Sequence, residues 1–404
     1  MKSLVLKGLI LASIVSLLLV SCSGGGSNFA GGGIDGTGIM SAGVVSAFGS
    51  IIVNGTEFDT STAAIIINGE QIGVGDDFVL ANLAIGMVVT VEGRINADGS
   101  AVADRVIYRI NVAGPVESIS NIDPTAKEIV ILGQTVFVNV ITKYKPGAFG
   151  FDSITLNDVV EVSGYLDDNG AIRATFLEKI GDTTTILDYE VTGFVENLSP
   201  LLKTFTINGL TVDYSLIENS LPEGIPADAL FVEVEGRLGA GGELIASNIE
   251  PGDVLGGDDG DEVEIMGFVT EIISVNDIIK FKVGHQEIHA DLNPDIVIYV
   301  DGDPADIVLG QKLEAEGSLE GGILSAWEIE FWKPDQIEVE GLVCCIVSDS
   351  EFTVGDQVVQ TDGDTIFEPE DLIIRDNIRI EVKGVPADID HSVIEADKVS
   401  LELD

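Results

Sequence analysis

Two histidines, two adjacent cysteines, a set of Asp-Gly turns and one aromatic cluster are the residues with chemistry to offer. His285 and His289 lie four apart in FKVGHQEIHAD. On a helix that spacing lets two imidazoles share a metal. The segment instead aligns with IIVNGTEFDTS, whose Asn-Gly marks a hairpin. Along a strand four residues span about 13 Å, too far for one ion. The order His-Gln-Glu-Ile-His also misses the zinc-protease pattern His-Glu-x-x-His. Both are therefore expected to be turn and surface residues, and His391 stands alone in a polar loop.

Cys344 and Cys345 fall in a strand, where neighbours point to opposite faces. A disulfide between them would be strained; one buried and one exposed thiol is expected. Acidic-glycine turns recur at Asp98-Gly99, Asp167 to Gly170, Asp258 to Asp261, Asp301 to Asp303 and Asp362 to Asp364. Calcium takes several oxygens at close range, and the densest set is Asp258, Asp259 and Asp261. None has EF-hand spacing, and turns favour Asp and Gly in any case. In LSAWEIEFWKP, Trp327, Phe331 and Trp332 could stack on a sugar ring. Alternation puts Trp327, Ile329 and Phe331 on one face and Trp332 on the other. The competing expectation is that this cluster packs one domain on the next.

Catalytic signatures are missing. The sequence has no Gly-x-Ser-x-Gly elbow, no phosphate loop and no Cys-x-x-Cys. It carries 68 acidic and 20 basic residues, a net charge of −48. So many acids make any particular carboxylate pair uninformative. The charge opposes nucleic-acid binding and favours a solvated, self-repelling surface. No cofactor is implied.

The elements that would position these residues repeat. A glycine followed closely by valine opens each unit, at Gly43, Gly114, Gly193, Gly267 and Gly341. A strand of form φ-x-φ-x-Gly follows, ending at Gly93, Gly164, Gly236, Gly317 and Gly384. Its alternation buries one face and wets the other. Then comes a strand with Ala and a branched residue three on: Ala103/Val106, Ala174/Leu177, Ala246/Ile249, Ala326/Ile329 and Ala396/Val399. Hairpin turns are expected at Asn54-Gly55, Leu132-Gly133, Asn208-Gly209, Gly284-His285 and Gly355-Asp356. Five or six strands per unit suffice for a small barrel. The glycine after φ-x-φ-x is the natural place for the bend that closes it, and closure removes exposed edges. Helices should be single turns in the variable segment before that strand.

The fold class is thus all-β, about five tandem small barrels. The expected units are 37–110, 111–182, 188–250, 262–332 and 337–404, with a Gly/Asp linker at 251–261. Three cysteines cannot supply a disulfide framework, so packing must hold each barrel.

At the N-terminus, residues 1–21 combine two lysines with an apolar stretch too short to span a bilayer. The ending Leu19-Val20-Ser21-Cys22 resembles a bacterial lipobox. That resemblance implies cleavage and lipidation at Cys22. Ser23, in place of Asp, implies by analogy sorting to the outer membrane. Residues 22–36, rich in Gly and Ser, read as a flexible tether.

The stretches GIDGTG, FGSIIVNGTEFDTS and IGMVVTVEG with the trailing Ala strand resemble a bacterial domain of unknown function that occurs in tandem in predicted lipoproteins. The resemblance implies OB-like barrels and carries no activity and no functional residues. The expected function is a non-enzymatic envelope lipoprotein, a binding or spacer module displayed from the outer membrane. Its partners would be the membrane, through Cys22, and an envelope protein or glycan, with no nucleic acid. A glycan-binding or glycan-acting surface protein and a weak calcium-dependent adhesion module are the alternatives.

Overall fold

The computed structural model describes residues 38–401, apart from 48–49, 97–99, 140, 146, 148, 219–220, 222–223, 253–256, 258, 349, 355–356 and 388–392. It is almost entirely β, as expected, with five closed five-stranded barrels. The first barrel shows the scheme. Its strands are Gly38–Ala47, Ile51–Val53, Thr56–Asp59, Val88–Ile95 and Ala101–Tyr108. The first pairs with the second and the fourth, and the third runs parallel to the fifth, Phe58 opposite Ala101. The ring 1-2-3-5-4 therefore closes. The other barrels repeat it, with parallel contacts Val136↔Ile172, Val212↔Leu244, Ile288↔Leu324 and Val358↔Val393. In the third barrel the first strand is broken into Tyr189–Phe194 and Glu196–Ser199.

The repeated residues do what their spacing requires. Every φ of φ-x-φ-x-Gly is buried: Val89 and Val91, Val160 and Val162, Val232 and Val234, Leu313 and Ala315, Ile380 and Val382. The glycine that follows sits beside a bulge in the last strand: Glu92 faces Arg105 while Gly93 faces Ala103, so Asp104 is extra. The same slip recurs at Gly164, Gly236, Gly317 and Gly384. The tight hairpin forms even where its sequence signal is poor. Leu132 takes φ +48° before Gly133 at +72°. Its buried side chain fills the space over Gly114, where a Cβ would lie 2.6 Å from Leu132 Cγ. The Gly355-Asp356 turn lies outside the described residues.

One helix, Asp76–Asn82, is longer than the single turn expected. It starts after Gly75 at φ +89°, carries Asp76 and Asp77 in its first turn, and buries Val79. Acidic residues at a helix start are favoured by the aligned peptide dipoles.

Closure does not remove every edge. The second strand covers only the later half of the long first strand, so the earlier half has one edge open. The barrels pair these open edges with one another. Ile39 to Ala42 of barrel 1 run parallel to Glu262 to Ile265 of barrel 4. Val112 and Ala113 of barrel 2 pair antiparallel with Val191 and Glu190 of barrel 3. Two continuous sheets result, one joining barrels 1 and 4, the other barrels 2 and 3. The interiors merge as well. Met40 and Ala42 pack with barrel 4, and one apolar cluster runs through barrels 2 and 3. These barrels are docked, not separate beads.

The polar face of φ-x-φ-x-Gly is not wetted either. Its x residues are Thr90/Glu92, Glu161/Ser163, Glu233/Glu235, Glu314/Glu316 and Glu381/Lys383, and none is exposed. Barrels meet on these faces, so their charges lie between barrels.

Candidate functional site

Four barrels line a half-open cavity of about 410 Å³, within the range of small-molecule sites. Each barrel gives a different part of its scheme to the wall. Thr90, Glu92 and Arg105 come from the last two strands of barrel 1, Gly164 and Tyr165 from the fourth strand of barrel 2. Thr192 and Phe231 come from barrel 3, Phe268 and His285 from barrel 4.

One part of the lining is polar. Arg105 Nη1 donates to Glu92 Oε2 at 2.8 Å, and Arg109 Nη1 to Glu233 Oε2 at 2.7 Å. Asn111 Oδ1 accepts from the Gly164 N–H at 2.8 Å, and Thr192 Oγ1 donates to the Asn111 carbonyl at 3.1 Å. Another part is aromatic. Tyr165 meets Phe268 edge-on, ring centres 6.5 Å apart. His285 lies 4.2 Å from the Phe231 ring centre and 4.6 Å from that of Phe194. Burial first, and Lys282 second, push its imidazole down to about 4, so it is neutral at neutral pH. His285 is thus an inter-barrel residue and not a surface one. Its hairpin tip is inserted against barrel 3, which alternation alone does not reveal. His289 accords better with its strand position, with Nε2 2.7 Å from Glu287 Oε1.

The lining offers hydrogen bonds, a neutral imidazole and apolar rings. It can hold a small molecule with a polar end and a flat apolar end.

The other sequence candidates are scattered. Trp327 is the extra residue of the bulge beside Gly317 and is partly exposed. Phe331 is buried in barrel 4 and stacked on Tyr299. Trp332 is 5% exposed, with Lys383 Nζ 4.4 Å and Lys312 Nζ 5.0 Å from its ring centre. The three residues do not form one stacking face. The alternation argument missed the bulge, which shifts Trp327 out of register with Ile329.

Cys22, Asp258 and His391 lie outside the described residues. Asp259 is exposed, and its Oδ1 accepts the Gly321 N–H at 2.7 Å; Asp261 is half-buried. Cys344 is half-buried, and Cys345 is exposed at φ +54°.

Comparison with protein families decides what the repeat is. A family described as a domain of unknown function, DUF5666, matches residues 37–107, 113–178, 192–250 and 335–399. The chain belongs to the DUF5666 family. Its four matched segments correspond to barrels 1, 2, 3 and 5, and barrel 4 has the same strand order as these DUF5666 repeats. No curated protein was found to match the chain.

Sequence reasoning missed the charged residues between the barrels. Glu190, Glu233 and Glu235 bring carboxylate oxygens within 4.8 Å of one another. Glu264 accepts from Ser41 Oγ at 2.9 Å and lies beside the Glu314 carboxyl. Lys383 Nζ is bonded to Glu330 and lies 3.5 Å from Glu338 and 3.6 Å from Glu381. One signal was available: the x positions of φ-x-φ-x-Gly carry at least one Glu in every unit.

Proposed function

We propose that this DUF5666 chain is a non-enzymatic binding body of the cell envelope. It is carried on a lipidated Cys22 and the 22–36 tether, and its ligand seat is the cavity where barrels 1 to 4 meet. The observation that carries this reading is the cavity itself: about 410 Å³, built by four copies of one repeat. The ion-paired arginines and hydrogen-bonded amides of the wall suit binding. Among the described residues, the wall presents no nucleophile–base pair of the kind that activates an acyl or phosphoryl transfer.

The anchor follows from the resemblance of Leu19 to Cys22 to a lipobox, and the outer membrane from Ser23. Several acyl chains hold a protein durably where one alone is marginal. The glycan reading is the weaker one, because Phe331 and Trp332 are buried.

Native mass spectrometry of the mature protein, purified from its host, tests the seat. A small molecule should ride with the wild type and be absent from Thr90→Trp, which fills the cavity from its wall. A wild type that is always ligand-free, or a variant that keeps the ligand, overturns the seat. Metabolic labelling with palmitate, lost on Cys22→Ala, tests the anchor separately.

A further inference from the structure

Barrel 3 sets like charges directly opposite each other on its outer wall. Glu190 pairs across strands with Glu235, and Glu233 lies two residues before Glu235 on the same face. Facing carboxylates of this kind are unfavourable unless something compensates them. Barrel 1 covers the group with its Asn68-Gly69 turn. Asn68 Nδ2 donates to Glu190 Oε2 at 2.8 Å, and its Oδ1 accepts the Ile110 N–H at 3.2 Å. Arg109 pairs with Glu233. That leaves three carboxylates against one guanidinium, with Glu250 and Glu70 close enough to act on Glu235.

A second observation points to a ligand. Glu190 is only 9% exposed, and, unlike its Oε2, its Oε1 is buried with no hydrogen-bond partner among the described residues. A buried carboxylate oxygen without a partner is costly. Glu190, Glu233 and Glu235 together supply an all-oxygen donor set, which selects a hard cation. Calcium binds oxygens at about 2.3–2.6 Å, so two ligands across the ion lie about 4.6–5.2 Å apart. The three carboxylate oxygens lie within 4.8 Å of one another, inside the reach of one such ion. Glu235 is only half-buried and leaves a way in.

We propose that Glu190, Glu233 and Glu235 bind one calcium ion, which fastens the Asn68 turn of barrel 1 to the wall of barrel 3. The site adjoins the cavity through Arg109, which lines the cavity and pairs with Glu233, but none of the three glutamates lines the cavity itself.

The test is calorimetric titration of calcium chloride into chelator-treated mature protein at neutral pH and physiological salt. One saturable site is expected, with thermal unfolding moving upward in calcium. Glu190→Gln and Glu235→Gln should bind at least about tenfold more weakly. Both variants should stay folded without calcium, because each removes a repelling charge. Asp259→Asn should bind as the wild type does. Absence of calcium heat in the wild type overturns the proposal, as do Gln variants that bind normally. So does a wild type whose unfolding temperature is the same with calcium as in chelator.

Discussion

Gly93 lies so close to Val102 that a β-carbon on residue 93 would sit 2.2 Å from the Val102 carbonyl oxygen. The same approach recurs between Gly164 and Arg173 at 2.2 Å, Gly236 and Ile245 at 2.4 Å, and Gly317 and Ser325 at 2.3 Å. Gly384 and Glu395 repeat it at 2.3 Å. The bulge beside each glycine draws the two strands together, so the repeat keeps a residue with no side chain there.

Gly93→Ala or Gly164→Ala should therefore destabilise its barrel by about 1–3 kcal/mol, the usual cost of overpacking. Gly150→Ala is the control. Gly150 has extended φ, and a Cβ there meets nothing within 4 Å, so its unfolding midpoint should be unchanged. Equal urea midpoints for Gly93→Ala and Gly150→Ala would refute the close approach.

The barrel itself was legible in the sequence. The φ residues, the bend glycines and the Ala strand carry the geometry locally, through alternation and one steric exclusion. Docking was not legible. Ser41, Glu264 and Glu314 come from distant segments, and no local pattern distinguishes a charged face turned to water from one turned to a neighbouring barrel. Trp327 was misplaced for a different reason, since a bulge resets the alternation that was used to place it.

The two tryptophans should behave oppositely. Trp332→Ala removes a ring buried between barrels 4 and 5 and should cost about 3–5 kcal/mol. Trp327→Ala, at a partly exposed bulge, should cost less than about 1 kcal/mol. With only two tryptophans in the chain, fluorescence separates them: Trp332→Phe should leave a red-shifted spectrum and Trp327→Phe a blue-shifted one. The reverse order would show that the burial is misassigned.

Lys383 neutralises charges contributed by two barrels, Glu330 from barrel 4 and Glu338 and Glu381 from barrel 5. Lys383→Met leaves those carboxylates buried and facing each other. The expected loss is about 3–5 kcal/mol, typical of breaking a buried pair from one side. Limited proteolysis should find residues 333–336 newly cleavable. Unchanged protease resistance and stability would mean that barrels 4 and 5 do not depend on this lysine.

Stability should fall as pH rises. Burial pushes the carboxyls of Glu264 and Glu316 up to about 7 and that of Glu338 up to about 8, each with help from neighbouring carboxylates. Their folded values lie above the unfolded carboxylate value near 4.5, so the folded chain holds more protons between the two. The contribution is complete below the unfolded value and is lost as pH rises through about 7 to 8. Calorimetric unfolding in chelator should show a higher Tm at about pH 5 than at about pH 8.5, and Glu264→Gln should flatten the slope. A Tm that climbs over that range would contradict this assignment.

Small-angle scattering of the chain from residue 38 onward asks whether the five barrels form one docked body. A single compact body of this length has a radius of gyration of about 21 Å, and docked barrels should stay below about 27 Å. Five barrels of about 70 residues in a straight row would give about 40 Å, and the same barrels on flexible joints about 30 Å. A value of about 30 Å or more would mean that the paired edges of Ile39 and Glu262, and of Val112 and Val191, do not hold in solution.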